Sequence, residues 1–231
     1  MQNVFIIGDG GIGSNLGLPL VKFLKFTIAT GKKVDITICD GDIVEASNII
    51  RQSFVTEDIG KKKSDITADY LNQVCEGLGA KNIEIKSFPQ FLKPDNIQII
   101  PDKSIVLVGV DNYITRLIIE QYTEKLKTVL VIFGGNEYDD GDVNVIYKKD
   151  GKYLTPLYSE KHPEIKTKDK FPDELSCEEA TVSAPQLILA NMTVAQYMLE
   201  GVYNHYLNKG KKVSWHEKLF DLKTGAVKVI S

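Results

Sequence analysis

An apolar, β-branched run from Val4 to Ile7 breaks into Gly8-Asp9-Gly10-Gly11-Ile12-Gly13, and apolar residues at helical spacing follow from Leu16 to Phe26. That order reads strand, tight turn, helix, and it limits the possible folds more than any other stretch of the chain. Glycines let a backbone approach a phosphate closely, and the free N–H groups and positive dipole end of the following helix then face the anion. Taken alone, the turn fits ATP, NAD or FAD, or merely a close strand–helix contact. The residues from Asp40 onward have to decide.

The same alternation continues along the chain. Val34 to Asp40 is β-branched and alternating, and it ends in a carboxylate. A doubly wound sheet puts that acid beside the first glycine turn, a position that suits a ribose. Residues 41–57 are polar and irregular, too long for an ordinary tight connection. Gly60 to Cys75 returns to helical spacing, and Ile83 to Phe88 alternates like a third strand. Ser104 to Val110 is the continuous apolar run of a central parallel strand, ending in Asp111-Asn112. Tyr113 to Lys125 supplies a helix, Thr128 to Phe133 another buried strand, and Val143 to Tyr147 follows a turn at Asp139-Asp140-Gly141. The predicted fold is α/β: a Rossmann-like open, mostly parallel sheet with helices on both faces and an antiparallel extension.

Residues 148–177 break the rhythm with lysines, acids and prolines at 156, 163 and 172, and read as an exposed crossover segment. A long, densely apolar helical pattern runs from Glu178 to Leu207, with Pro185 placed to start or kink it. Its apolar width exceeds a surface stripe, so burial partly against another subunit is expected. Ser214 to Ile230 reads as a hairpin. The expected organisation is one domain over 1–231, with a nucleotide-binding core at 1–147, the crossover at 148–177, and the helix and hairpin at 178–231. Its 231 residues, 43% of them hydrophobic, suffice for one sizeable core.

A formal charge of −3 gives no global basic field for nucleic acid. No apolar run approaches the ~20 residues of a membrane helix, and residues 1–7 carry no charged leader. A soluble, cytoplasmic protein is expected. The 3 cysteines, Cys39, Cys75 and Cys177, are too scattered for a disulfide framework, and none forms a Cys-x-x-Cys pair, so no zinc is expected. Cys39 within a strand and Cys75 at a helix end read as packing. His162, His205 and His216 have no metal partner at fixed spacing, and Tyr197, Tyr203 and Tyr206 read as packing or interface.

Between Asp40 and Lys63 polar residues are dense: Asp40, Asp42, Glu45, Asn48, Arg51, Gln52, Gly60 and Lys61 to Lys63. A nucleoside triphosphate needs such a set, because cations neutralise phosphate while amides and carboxylates fix sugar and metal. NAD would leave Arg51, Gln52 and Lys63 without a purpose.

Gly8-x-Gly10-Gly11-x-Gly13, Asp40-x-Asp42, Asn48-x-x-Arg51-Gln52, Gly60-x-x-Lys63 and Asp111-Asn112-x-x-x-Arg116 occur in that order. Together they resemble the ThiF/MoeB/HesA family, the adenylating core shared with ubiquitin-activating enzymes. Ser176-Cys177-Glu178-Glu179-Ala180 ahead of a helix also resembles ThiF-like proteins of PRTRC plasmid systems. The resemblance implies a site for ATP and Mg²⁺ on Gly8, Gly10, Gly11, Gly13, Asp40, Asp42, Asn48, Arg51, Gln52, Lys63, Asp111 and Asn112. In it, Asp40 holds the ribose, Asn48, Arg51 and Lys63 contact the triphosphate, Gln52 lines the site and Asp111 binds Mg²⁺. The implied reaction is attack of a carboxylate on the ATP α-phosphate, giving an acyl-adenylate and pyrophosphate. An ionised carboxylate needs no general base, so positioning and charge neutralisation carry the catalysis.

The family's usual substrate is the C-terminal glycine of a small ubiquitin-like or sulfur-carrier protein, or a peptide, and its usual assembly is a homodimer. Many members pass the acyl group to a cysteine. Cys177 is the candidate for such a thioester, and its other reading is a small residue at a helix start. Members often carry an arginine on an N-terminal helix that reaches the partner's ATP site. This sequence opens at its first strand, so that arginine is not expected from an N-terminal helix, and either another cation replaces it or ATP turnover is impaired. Lys61 and Lys62 read as solvated, and Arg116 as a helix anchor through an ion pair. The rival reading is a nucleotide-binding regulatory or assembly module of the same fold. An NAD-dependent oxidoreductase ranks third, because no Tyr-x-x-x-Lys set or substrate domain accompanies the turn.

Overall fold

The computed structural model describes residues 3–27, 32–167, 169–174, 187–207 and 214–231. Within them the strands are β1 (Asn3–Ile7), β2 (Val34–Cys39), β3 (Ile83–Phe88), β4 (Ser104–Val108), β5 (Val129–Asn136), β6 (Asp140–Lys149), β7 (Lys152–Tyr153), β8 (Glu217–Asp221) and β9 (Ala226–Ile230). The helices are α1 (Gly13–Thr27), α2 (Lys63–Gly77), α3 (Tyr113–Tyr122), α4 (Tyr158–Lys161) and α5 (Ile188–Leu207).

The strands form one sheet in the order β3-β2-β1-β4-β5-β6-β8-β9, with β7 beside β6. β1 to β5 run parallel, and β6, β8 and β9 add the expected antiparallel extension. Because side chains alternate along a strand, β1 sends Val4 and Ile6 into one apolar layer and Phe5 and Ile7 into the other. The first layer takes Leu16, Leu20 and Leu24 of α1, Leu71 of α2 and Val194, Met198 and Val202 of α5. The second takes Ile119 of α3 and Tyr158 of α4. Cys75 lies in the first layer and Cys39 in the second, as packing residues. Among the described residues, no helix is long and apolar enough to cross a membrane.

The chain departs from β1 toward β2 on one side and returns from β3 to β4 on the other. Ile7 pairs with both Cys39 and Val108, so β1, β2 and β4 end level with one another. A crevice at the carboxyl ends of β1 and β4 follows from this reversal of strand order, and it is where such sheets take ligands.

Two expectations change. The stretch read as an exposed crossover is anchored: Tyr158, Ile165 and Phe171 are buried, and Lys93 pairs with Asp173 at 2.7 Å. Single aromatic and aliphatic anchors between short turns leave no period to read. The helix expected from Glu178 begins, within the described residues, at Ile188, with Leu187 outside it. It buries Ala190, Val194, Ala195, Met198 and Val202 but leaves Ile188, Leu189 and Met192 exposed. Tyr197 packs edge-on against Phe220, and Tyr203 against Phe23.

Candidate functional site

The chain leaves β1 through Gly8, whose φ of +86° suits glycine alone without strain. Its N–H donates to the Cys39 carbonyl (2.8 Å), and the Gly109 N–H donates to the Ile7 carbonyl (2.9 Å), so the turn is slung between β2 and β4. Any Cβ on Gly13 would fall on the Gly8 carbonyl oxygen. That close approach draws the first turn of α1 onto the end of β1. Gly10 is different, since the nearest group to a Cβ there is Gln52 Nε2, at 3.9 Å. The turn is thus packed from behind and open over Gly10.

Asp40, just past β2, is only 6% exposed. Its Oδ2 accepts the Asp9 N–H at 2.6 Å and its Oδ1 the Asp42 N–H at 2.7 Å, which locks the glycine turn to the next loop. Burial, then the neighbouring Asp42, pushes its carboxyl above the ordinary value, while Lys63 and the two N–H donors pull it back. Asp9 is fully buried, and neither carboxylate oxygen has a hydrogen-bond partner among the described residues. Loss of solvent raises its pKa well above the usual range, and the nearby Asp40 adds to the rise. Thr67 and Lys63 oppose the shift, the Thr67 hydroxyl without meeting hydrogen-bond geometry. Burial therefore favours the neutral, protonated form of Asp9.

The loop after Asp40 is pinned rather than loose. The Val44 N–H donates to the Lys61 carbonyl (2.8 Å) and the Gly60 N–H to the Val44 carbonyl (2.9 Å). A 3-10 turn at Ala46–Asn48 is closed by Asn48, whose Oδ1 accepts the Glu45 N–H at 2.9 Å. The Asn48 carbonyl accepts N–H groups from Arg51 (3.1 Å) and Gln52 (2.9 Å), and so sets the turn that carries both. The Ser53 N–H donates to Ser14 Oγ at 3.1 Å, tying that turn to the start of α1. Gln52 is buried, with no partner for its Oε1 among the described residues.

At the head of α2, Lys63 is nearly buried, and its Nζ meets Asp42 Oδ2 at 3.0 Å. A cation shielded from solvent and held by one partly exposed carboxylate suits exchange of that partner for a phosphate. Lys62 is not simply solvated, because its Nζ donates to the Gly41 carbonyl at 2.5 Å. Lys61 lies 3.8 Å from Asp58. Across the crevice Asp111 is exposed past the end of β4. Asn112 caps α3 by accepting the Thr115 N–H at 3.0 Å, and Asp169 accepts the Tyr113 N–H at 2.7 Å.

Arg116 anchors its helix as expected, but through carbonyls rather than an ion pair. It donates to the Val110 carbonyl (3.1 and 2.8 Å), the Gly134 carbonyl (2.8 Å) and the Tyr158 hydroxyl (2.9 Å).

The fold thus brings the glycine turn, Asp40, Asp42, Asn48, Gln52 and Lys63 into one hydrogen-bonded group, with Arg51 on the same turn as Gln52 and Asp111 on the facing strand end. Cys177, and the motif around it at 176–180, lie outside the described residues. Two polar residues here were not singled out from the sequence. Asp9 occupies a spacer position of the glycine turn, where no pattern marks it. Asn191, on α5, is fully buried against Gly11 and comes from far along the chain, with no spacing to betray it.

Comparison with known proteins gives a consistent set of likenesses. The profile of the ThiF family matches residues 1–228. A probable molybdopterin-synthase adenylyltransferase of Porphyra purpurea is 30% identical over 180 residues, covering 76% of this chain and 42% of that protein. The adenylyltransferase and sulfurtransferase UBA4 of Scheffersomyces stipitis is 26% identical over 84% of this chain and 40% of its own length. The chain therefore spans less than half of these curated relatives. Among solved structures, E. coli MccB with ATP superposes with a TM-score of 0.73 at 17% identity, over 99% of this chain and 63% of that one. That likeness establishes a shared mixed α/β fold.

Proposed function

The chain belongs to the ThiF family, and from that premise we propose that it is an ATP-dependent adenylyltransferase that activates the C-terminal carboxylate of a small ubiquitin-like or sulfur-carrier protein, or of a peptide. The observation that carries this reading is the crevice itself. A glycine turn open over Gly10 faces a buried acid, Asp40, and a nearly buried cation, Lys63, at the point where strand order reverses.

Each group has a task in the proposed reaction. The N–H groups of Gly10, Gly11 and Gly13 receive phosphate oxygens at the start of α1. Asp40 spends one acceptor site of each oxygen on a backbone N–H and keeps others for ribose hydroxyls. Lys63 exchanges Asp42 for phosphate, and Arg51 adds charge from the turn that Asn48 sets. The exposed Asp111 carboxylate fits a hard divalent cation such as Mg²⁺, with Asn112 fixing its loop, and that ion would supply charge neutralisation between phosphates. The substrate carboxylate attacks the α-phosphorus, the bond to the pyrophosphate oxygen breaks, and an acyl-adenylate forms. Transfer to Cys177 would be a second, separable step. A homodimer completes the reading, supported by the exposed Ile188, Leu189 and Met192 of α5.

ATP–pyrophosphate exchange, run with the protein alone and then with candidate carriers ending in Gly-Gly, tests the proposal. Carrier-dependent exchange that disappears in Asp111→Ala supports it. ATP binding without exchange across a panel of carriers and peptides would instead support the nucleotide-binding module.

A further inference from the structure

Asn191 stands in the first turn of α5, among Ala190, Val194 and Ala195, which belong to the apolar layer. It is 0% exposed, and neither Oδ1 nor Nδ2 has a hydrogen-bond partner among the described residues. An apolar side chain of similar volume would fill the place without forfeiting the hydrogen bonds that an amide makes in water. The carboxamide lies directly on the bare Cα of Gly11, where any Cβ would overlap it. On the neighbouring side, Asn15 Nδ2 donates to the Gly11 carbonyl at 2.6 Å. A fully buried, unpartnered amide is thus aimed at the N-terminus of the fifteen-residue helix α1, through the turn that opens it.

We infer that Asn191 is a positioning residue for the nucleotide phosphates, acting through the backbone of the glycine turn. The inference rests on the nucleotide reading above. A peptide unit whose N–H swings toward a phosphate must swing its carbonyl the opposite way. The Asn191 amide lies on the Cα that joins the two peptides around Gly11, whose carbonyls accept from the Ser14 N–H (3.1 Å) and from Asn15 Nδ2 (2.6 Å); a swing exchanges one of those bonds for one to Asn191. Nδ2 then donates to the displaced carbonyl, so a phosphate on the turn supplies the partner that the amide lacks. The bond forms only when phosphate is bound, and it therefore favours the bound turn over the free one. No bond to Asn191 depends on the adenine or the ribose.

Calorimetry of ATP and of adenosine, on the unaltered protein and on Asn191→Leu and Asn191→Val, tests this. Both variants lack the amide donor and carry no charge. ATP affinity should fall about ten-fold in each, as for one lost hydrogen bond, while adenosine affinity stays within two-fold. A purely structural role would move ATP and adenosine together, and that result overturns the inference. So does ATP binding at unchanged affinity in both variants. If the unaltered protein binds no ATP, the functional reading fails and the inference fails with it; ATP binding by the unaltered protein separates the two failures.

Discussion

Two buried polar regions flank the ends of the parallel strands, and they are built on opposite terms. Around Arg116 each guanidinium nitrogen is committed: carbonyls of Val110 and Gly134 and the Tyr158 hydroxyl receive its bonds, and the Ser159 N–H donates to Glu120 at 2.8 Å. Tyr158 is further stacked on Phe133, with ring centroids 4.8 Å apart. Around the glycine turn, by contrast, the backbone is tied down while side-chain groups are left over. The Asp9 carboxyl, Gln52 Oε1 and the Asn191 amide are buried without partners among the described residues. Unpartnered buried polar groups cost roughly 1–3 kcal/mol each. Single unpartnered atoms also occur elsewhere among the described residues, including Asn136 Oδ1, Trp215 Nε1 and the Nε2 atoms of His162 and His216; at the glycine turn three side chains are left over together, as where a ligand supplies the missing partners. Burial of polar groups therefore marks both regions, and the clustering of uncommitted groups separates the candidate binding site from the brace.

The comparison breaks most readily at Arg116. Arg116→Ala should lower stability by about 3–5 kcal/mol, because it leaves two carbonyls and a buried hydroxyl unpaired and opens a cavity; a urea midpoint close to that of the unaltered protein would show that the cluster is no brace. Lys63→Ala should do the reverse, weakening ATP binding by about 10- to 100-fold in calorimetry while moving the urea midpoint little, as for one charge-assisted hydrogen bond.

Asp9 sharpens the contrast through pH. Its raised pKa means that the folded protein holds a proton which the unfolded chain releases above about pH 4. In that window the native state binds more protons, so stability falls as pH rises from the unfolded value through the folded one. Asp9→Asn abolishes this contribution. It should raise stability at pH 7 by about 1–2 kcal/mol and flatten the decline measured by urea denaturation between pH 4 and 7, leaving the smaller share from Asp40. The smallest effect is at the α3 cap: Asn112→Ala should cost about 1 kcal/mol, read from thermal melting. A loss of ATP affinity larger than that would give Asn112 a nucleotide role in addition.

Much of the fold was legible because its signals are local. Val4–Ile7, Ile83–Phe88 and Ser104–Val108 declare themselves by alternation or by continuous apolar character, and each of them is a strand. The glycine turn is legible because a left-handed Gly8 and a contact-bound Gly13 leave little else to stand there. Asp40, Arg51, Lys63 and Asp111 were singled out by motif order, and the fold places them around one crevice. What stayed hidden depends on partners distant in sequence. Asn191 becomes notable only when α5 lies on Gly11, and Tyr158 only when Arg116 reaches it. Arg116 looked like half of an ion pair because sequence shows charges, whereas its acceptors are the Val110 and Gly134 carbonyls and the Tyr158 hydroxyl.

The most direct test of the account is amide hydrogen exchange, followed by mass spectrometry, with and without Mg·ATP. Protection should appear in peptides spanning 8–14, 40–53, 63–67 and 187–192, and the region around 116–122 and 158–166 should exchange at the same rate in both states. Protection centred on the Arg116 region with none at the glycine turn, or no protection anywhere at saturating Mg·ATP, would contradict it.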